Sequence, residues 1–214
     1  MSKRDFLTLG SLVFIAAFLS SCTKDPLDHL NAEESRIYVT NYDSSARFTN
    51  YKTFSIVDSA AVISNDRLEG KVQTAYDLQI INAVKAAMQQ RGFTLVSKTA
   101  QPDLGINVSR ISNTYTGVVS YPNYWDYYGS YYDPYYWGYG GYGYYAPSYY
   151  GLYQVNEAGL SVDMLDLKNA TTNGNKIRTV WSALARGTGV FLDANAASEV
   201  GAFFSQSPYL KATN

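Results

Sequence analysis

The residue types that most often build catalytic and metal sites are almost missing from this chain. Its 214 residues include one histidine, His29, and one cysteine, Cys22. A nucleophilic triad needs a base beside its nucleophile, and a zinc site needs several histidine or cysteine ligands. The sequence therefore predicts no triad and no metal, and it contains no motif for a cofactor. A lone cysteine also excludes a disulfide within the chain.

Excess charge of either sign is scarce as well. Seventeen basic and 18 acidic residues give a formal net charge of −1 at pH 7, and like charges do not form runs. Proteins bind nucleic acids mainly through cationic surfaces that neutralise phosphates. We therefore expect no nucleic acid partner.

The first residues are typical of a secretory signal. Lys3 and Arg4 precede an apolar run of 14 residues, Phe6 to Leu19. A helix that spans a bilayer needs roughly 20 apolar residues, so this run is too short to be a good permanent anchor. We expect residues 1–21 to be a signal peptide.

The end of this signal predicts a lipid anchor. Leu19-Ser20-Ser21-Cys22 resembles the lipobox of bacterial lipoproteins, in which the cysteine becomes the first residue of the mature protein. By that resemblance Cys22 carries diacylglycerol and a further acyl chain such as palmitate, and more than one chain gives stable attachment to a membrane. The alternative is a plain signal peptide with an incidental cysteine. Residues 22–35, which include His29, are the predicted tether.

Residues 36–208 carry the patterns of one domain. β-Branched, aromatic or alternating runs predict strands, and apolar residues at three- and four-residue steps predict a helix after Thr74. A second helix is expected to begin at the N-cap Asp193 and to stop at Pro208. The predicted strands cover 36–42, 51–57, 93–96, 104–119, 160–168 and 177–187.

Four finer expectations follow from the same patterns. Residues 59–71 show no period and are predicted to be a loop. The first helix is expected to bury Leu78, Ile81, Val84 and Met88. The strand from residue 104 alternates apolar residues with Gly105, Asn107 and Ser109, which indicates one face exposed to water. A bulge is expected near Arg110.

The order of these elements predicts the fold class. Groups of strands followed by single helices favour an α+β fold, a two-layer sandwich with a mainly antiparallel sheet and two helices on one face. Residues 209–214 are predicted to be a C-terminal tail.

One stretch, residues 121–153, is built almost entirely from Tyr, Gly, Pro and Trp. It holds 15 of the 21 tyrosines, and we predict that it is an insertion into a connection between strands. We call it the tract. Tyrosine and tryptophan give large rigid faces that suit adaptable binding surfaces. The candidate binding residues are Tyr121, Tyr124, Trp125, Tyr128, Tyr132, Tyr136, Trp137, Tyr142, Tyr145 and Tyr150.

Three roles for the tract stay open. A surface loop could bind glycan, peptidoglycan or an envelope protein by stacking its rings on apolar patches. Gly- and Tyr-rich sequence could equally be a spacer or a self-associating segment. Aromatic rings also suit the membrane interface.

Two smaller signals concern single residues. Asp58-Ser59-Ala60 resembles an acceptor motif for periplasmic O-glycosylation in Bacteroidetes, which makes Ser59 a candidate site. Asp103, Asp163 and Asp166 are the carboxylates on which an alternative function, a hydrolase, would depend. Asp163 and Asp166 are three apart on a strand, so the pleat places them on opposite faces. We therefore expect a protein that is not an enzyme.

A further signal comes from five short segments, residues 48–54, 102–104, 159–166, 180–183 and 200–208. Together they resemble the DUF4136 family of bacterial lipoproteins, whose function is uncharacterised. The resemblance covers about residues 37–208, and similar members also carry a Tyr/Gly-rich insertion. It implies a lipid-anchored domain in the envelope of a Gram-negative bacterium of the Bacteroidetes type, with the outer membrane as the expected location, and it brings no catalytic residues.

Overall fold

The structure is a computed structural model that describes residues 36–64, 67–112, 118–120, 134–145, 152–154 and 158–213. The signal peptide, Cys22 and the tether lie outside these ranges. So do residues 121–133 of the tract and Tyr150, while Tyr145 is described by its backbone alone.

Eleven strands and two α-helices are present among the described residues. The helices are α1, Ala75–Gln90, and α2, Ala196–Ser205. The strands are β1 Ile37–Tyr42, β2 Thr53–Ile56, β3 Ala60–Ser64, β4 Arg67–Val72, β5 Thr94–Leu95, β6 Leu104–Ser112, β7 Val118–Ser120, β8 Gly143–Tyr145, β9 Leu152–Gln154, β10 Ala158–Asp166 and β11 Lys176–Arg186.

Nine of these strands form one mixed sheet, which confirms the α+β class. Its main order is β1-β11-β10-β6-β2-β5, with β1, β11, β10 and β6 antiparallel and β2 parallel to both β6 and β5. After a bend, the chain continues from β2 into β3, which pairs with the second half of β6. Strands β7 and β9 pair separately and bring together the two ends of the tract.

Both helices pack on one face of the sheet, as expected. Thr74 and Asp77 form a capping box at the start of α1, because each side chain satisfies a backbone N–H that the helix leaves free. Arg110 of β6 donates to Asp77 at 2.6 Å, which ties this helix end to the sheet. Within the described part of the chain, no helix is long and apolar enough to span a membrane.

The structure differs from three of the sequence predictions, which concern the buried face of α1, the start of α2 and the end of the packed chain. Ile81, Val84 and Met88 are buried as predicted, but Leu78 is 41% exposed and Tyr76 and Ile80 lie in the core instead. Asp193 does not cap α2, because it begins a short 3-10 turn that precedes the helix. The packed chain also extends beyond residue 208, since Leu210 and Ala212 are fully buried.

The strand irregularities lie elsewhere than predicted. The described residues of the predicted loop 59–71 lie mostly in the paired strands β3 and β4. A register shift after Val62 disrupts the period that a strand pattern needs. Strand β6 pairs with β10 without a break, so the expected bulge near Arg110 is absent from that ladder. The bulge in this region lies on β11, where Val180 is extra opposite the Met164–Leu165 step.

The face of β6 that was expected to meet water is buried. Asn107 and Ser109 are almost fully buried, as are Ser161 and Ser182 on the neighbouring strands. Part of the cover is Trp137 from the tract, whose indole N–H donates to Asn107 Oδ1 at 3.2 Å. A strand shows the same alternation of small or polar side chains with apolar ones whether its polar face is covered by water or by a packed layer. The sequence pattern of β6 therefore did not show that this face is buried.

Gly105 provides the space for this indole. A Cβ at position 105 would lie 3.0 Å from a ring carbon of Trp137 and 2.9 Å from Leu167 Cδ1, which is closer than side chains pack. The tract therefore contributes to the domain core through residues 134–145, which we call the docked segment. Trp137 is consequently not available to stack on a ligand.

Replacing Trp137 with alanine should destabilise the domain strongly. Removing a buried tryptophan costs about 3–5 kcal/mol through lost burial and the remaining cavity. Tyr135→Ala is the matched control, because Tyr135 lies in the same turn but is 72% exposed, and its loss should change stability by less than about 0.5 kcal/mol. Urea unfolding measures both, and equal effects of the two changes would contradict the docking of the indole.

Candidate functional site

A cleft with a volume of about 650 Å³ adjoins the docked segment. It lies between this segment and two loops of the sheet, residues 98–103 and 168–171. We call it the lysine–tyrosine cleft. The side chains used below are Lys98, Thr99, Gln101, Asp103, Trp137, Tyr139, Lys168 and Thr171.

One wall of the cleft is a tight fold of the docked segment. Pro134 opens a 3-10 turn that ends at Trp137, and a fixed proline φ suits the first position of such a turn. Gly138 and Gly141 follow with φ near +81° and +83°, values that glycine adopts without steric cost. The chain thereby reverses around Tyr139 and continues into β8, which pairs with β11.

Two phenols fix this wall to the connection between β10 and β11. Tyr139 donates to the carbonyl of Leu167 at 2.9 Å, and the hydroxyls of Tyr142 and Thr171 lie 3.2 Å apart. Burial raises the pKa of Tyr139, with smaller contributions from Tyr142 and Asp166. The Tyr139 phenol therefore stays neutral at physiological pH and keeps the proton that it donates.

Tyr135 presents an aromatic surface on the turn that also carries the cleft residue Trp137. The ring lies against Gly140, where a Cβ would overlap its carbons. Most of its surface is nevertheless open to solvent. A glycine support thus holds a large, rigid ring at the surface.

The two loops across the cleft contribute two cationic side chains to its lining, Lys98 and Lys168, and Lys71 lies near Lys98 without lining the cleft. Lys98 Nζ lies 4.0 Å from the centre of the Tyr136 ring, and Lys71 Nζ lies 4.8 Å from the same point. Lys168 Nζ donates to the carbonyl of Asn50 at 2.7 Å and lies 3.5 Å from Asp103 Oδ1. Aromatic faces attract such cations, so the ring holds ammonium groups close together.

Asp103 has a structural role in one of the two loops. Its Oδ2 accepts the backbone N–H groups of Lys52 at 2.6 Å and Thr53 at 3.1 Å. Its backbone carbonyl accepts from Leu167 and Lys168. The residue therefore joins β2, β6 and the end of β10, and its carboxylate offsets only part of the positive charge of the cleft.

A family model described as a domain of unknown function, DUF4136, matches residues 38–209. The chain belongs to this family. A crystal structure of a DUF4136 family protein from Bacteroides thetaiotaomicron is 30% identical, with a TM-score of 0.70, and the match covers 84% of this chain and 99% of that one. The DUF4136 fold thus accounts for the sheet and helices described above.

Two further structures are similar at lower levels. A PDZ domain protein from Parabacteroides distasonis is 16% identical, with a TM-score of 0.44, over 83% of this chain and 37% of that one. A PelC dodecamer from Paraburkholderia phytofirmans is 10% identical, with a TM-score of 0.38, over 82% and 98%. No functionally curated protein matches the sequence.

In this chain, the predicted aromatic binding residues fall into two groups. Tyr136, Trp137 and Tyr142 lie in the docked segment, half-buried or buried. The remaining candidates are outside the described side chains, so their role stays a prediction. The predicted site residues did not include Tyr135, Tyr139, Lys98 or Lys168. The run Pro-Tyr-Tyr-Trp-Gly could have indicated a turn with one ring inside and another outside.

The three candidate carboxylates do not converge on one site within the described part of the structure. Asp163 pairs in register with Asn107, and Asp166 with Leu104, so they lie on opposite faces of the sheet as predicted. Asp166 accepts from the backbone and side chain of Asn169 at 2.8 to 3.1 Å and stabilises the turn after β10. Asp103 lines the lysine–tyrosine cleft alone. These positions do not form the acid and base pair that a glycosidase needs.

Ser59 lies at the bend between β2 and β3. It is partly exposed, and its hydroxyl donates to the carboxylate of Asp58 at 3.0 Å. Glycosylation at this residue stays a prediction.

Asp163 has a carboxyl whose ionisation opposes folding. Burial raises its pKa well above the usual range, and the hydrogen bond from Ser161 offsets this in part. The folded state therefore holds a proton that the unfolded chain loses at about pH 4. Stability should consequently fall as pH rises from that value through the folded pKa.

Replacing Asp163 with asparagine should weaken this pH dependence. The amide keeps the shape of the side chain and accepts from Ser161 without carrying a charge, so the variant should be more stable than the natural protein at neutral pH. Burial also raises the pKa of Glu199, which should leave a smaller slope of the same sign in the variant. Chemical unfolding across pH measures this, and an unchanged slope would reject the assignment to Asp163.

Proposed function

We propose that this chain is a non-catalytic binding module, anchored by lipid in the bacterial cell envelope, that holds a saccharide of the envelope against the docked segment. The observation that carries the proposal is Tyr135, a large ring 72% exposed and supported by Gly140. Burying an aromatic face stabilises a complex at low entropic cost, because a tyrosine has few rotatable bonds.

The lysine–tyrosine cleft adds polar groups to this aromatic surface. Thr99, Gln101 and Thr171 are exposed at its edge. Their hydroxyl and amide groups both donate and accept hydrogen bonds, as recognition of sugar hydroxyls requires. A cleft that combines a few polar groups with aromatic walls is the usual form of a small-ligand site.

The location in the envelope is supported by the lipobox-like sequence that ends at Cys22. Acyl chains on this residue would attach the domain to a membrane, and we propose the outer membrane. The polar tether of residues 22–35 would separate the cleft from the lipid surface and leave it accessible to envelope polymers.

Loss of the Tyr135 ring should weaken retention on envelope polysaccharide or peptidoglycan. Aromatic stacking contributes about 0.5–1.5 kcal/mol, so Tyr135→Ala should bind about two- to tenfold more weakly. Tyr135→Phe keeps the ring and should retain most of the binding. Co-sedimentation of the purified protein with these polymers measures the effect.

Gly140→Ala offers a second test of the same surface. The added Cβ should displace the ring without removing it, so this variant should also bind less. Wild-type retention by both Tyr135→Ala and Gly140→Ala, in proteins with unchanged unfolding curves, would refute the proposed surface.

Removing the acylation site should release the protein from membranes. Each buried CH2 of an acyl chain contributes about 0.8 kcal/mol to membrane attachment. Cys22→Ala should therefore move the protein from the membrane fraction to the soluble periplasmic fraction after cell lysis, whereas Ser21→Ala should remain membrane-bound. An N-terminal peptide of the natural protein whose measured mass includes no acyl chain would contradict lipid anchoring through this residue.

A further inference from the structure

The most distinctive charge in the lysine–tyrosine cleft is the ammonium group of Lys98. It lies 4.0 Å from the centre of the Tyr136 ring, and Lys71 approaches the same ring to 4.8 Å. Among the residues that the structure describes, no carboxylate forms an ion pair with Lys98. The ring therefore positions a cation that forms no ion pair within the described part of the domain.

Lys168 places a second cation at the same cleft. Its side chain is 43% exposed, and the one carboxylate in the cleft lining, Asp103, lies 3.5 Å from its ammonium group. Asp103 also accepts two backbone N–H groups, which reduces the charge that it can direct toward Lys168. Two lysines against one occupied carboxylate leave the cleft positive.

Burial raises the pKa of the Tyr136 phenol, with a further rise from the nearby Asp58. The ring that Lys71 and Lys98 both approach is consequently neutral at physiological pH. Its face attracts cations, but the group carries no negative charge that would neutralise them. The cleft thus combines a positive potential with hydroxyl and amide groups at its edge.

We infer that the ligand of the lysine–tyrosine cleft is an anionic saccharide whose charges are spread along the sugar chain, as in a polymer of uronic acids. This inference rests on the proposed function and adds the charge of the ligand to it. Separate lysines on two loops match several dispersed charges better than one phosphate, which a single cluster of donors would hold. Exposed aromatic and hydroxyl groups contact the sugar rings between the charges.

A matched pair of ligands tests the charge. The full chain, purified in detergent, is titrated with an oligogalacturonate and with its fully methyl-esterified form, which has the same sugar rings without charge. We expect the acid to bind about tenfold more tightly at low salt, and added salt should reduce this difference because it screens exposed charges. Equal affinity for acid and ester would overturn the inference.

Lysine-to-methionine variants locate the charge in the cleft. Each of Lys98→Met and Lys168→Met keeps the length of the side chain and should weaken binding of the acid about threefold, since an exposed ion pair contributes about 0.2–1 kcal/mol. The double variant should bind acid and ester alike. Lys85→Met on α1, on the helical face of the sheet, should bind as the natural protein does.

The two proposals fail in different ways. If the double variant keeps the preference for the acid, the site of the charge lies elsewhere and the inference is wrong. If the acid and the ester bind equally and Tyr135→Ala abolishes both, the aromatic surface binds sugars without selecting charge. If neither ligand binds, and Tyr135→Ala is retained on envelope polymers as well as the natural protein is, the proposed function is wrong too.

Discussion

The two central strands of the sheet, β6 and β10, are buried on both faces, and this requires a cover on each side. The helices cover one face with an apolar stripe. On the other face the strands carry small and polar side chains, and Trp137 packs over Gly105 while its indole N–H satisfies Asn107. Because a buried polar group without a partner costs free energy, the hydrogen bond and the packing have to form together. The docked segment is therefore part of the fold and also the support of the candidate surface.

This arrangement explains how a tract with such a simple composition can hold a defined site. Trp137 is inside and Tyr135 outside in the same short turn, while Tyr139 and Tyr142 join the segment to the connection after β10. Glycines allow the reversals between these aromatic residues. A surface that is supported in this way loses little conformational entropy when it binds, which favours affinity.

The sequence was sufficient for the elements that depend on local signals. The capping box at Thr74 and Asp77 locates α1, and the alternating runs locate β10 and β11 with their hairpin connection. The sequence was insufficient where the environment of a residue depends on contacts with residues far away in the chain. The polar alternation at Gly105, Asn107 and Ser109 has the same form whether water or an indole lies above it, and no local rule connects those positions to Trp137. The sequence did not predict the cleft for the same reason. Lys98 and Lys168 are far apart in the sequence, and only the topology of the sheet brings both of them to the lining of one cleft.

The contact between Gly105 and Trp137 links two positions that are 32 residues apart. Any side chain larger than hydrogen at position 105 would occupy the volume of the indole, so the two sites have to change together during evolution. Among relatives, glycine at the equivalent of position 105 should accompany an aromatic residue that returns from the insertion, whereas a larger residue there should accompany a shortened or absent insertion. One small residue in a central strand would then indicate, in sequences of unknown structure, whether the insertion belongs to the core.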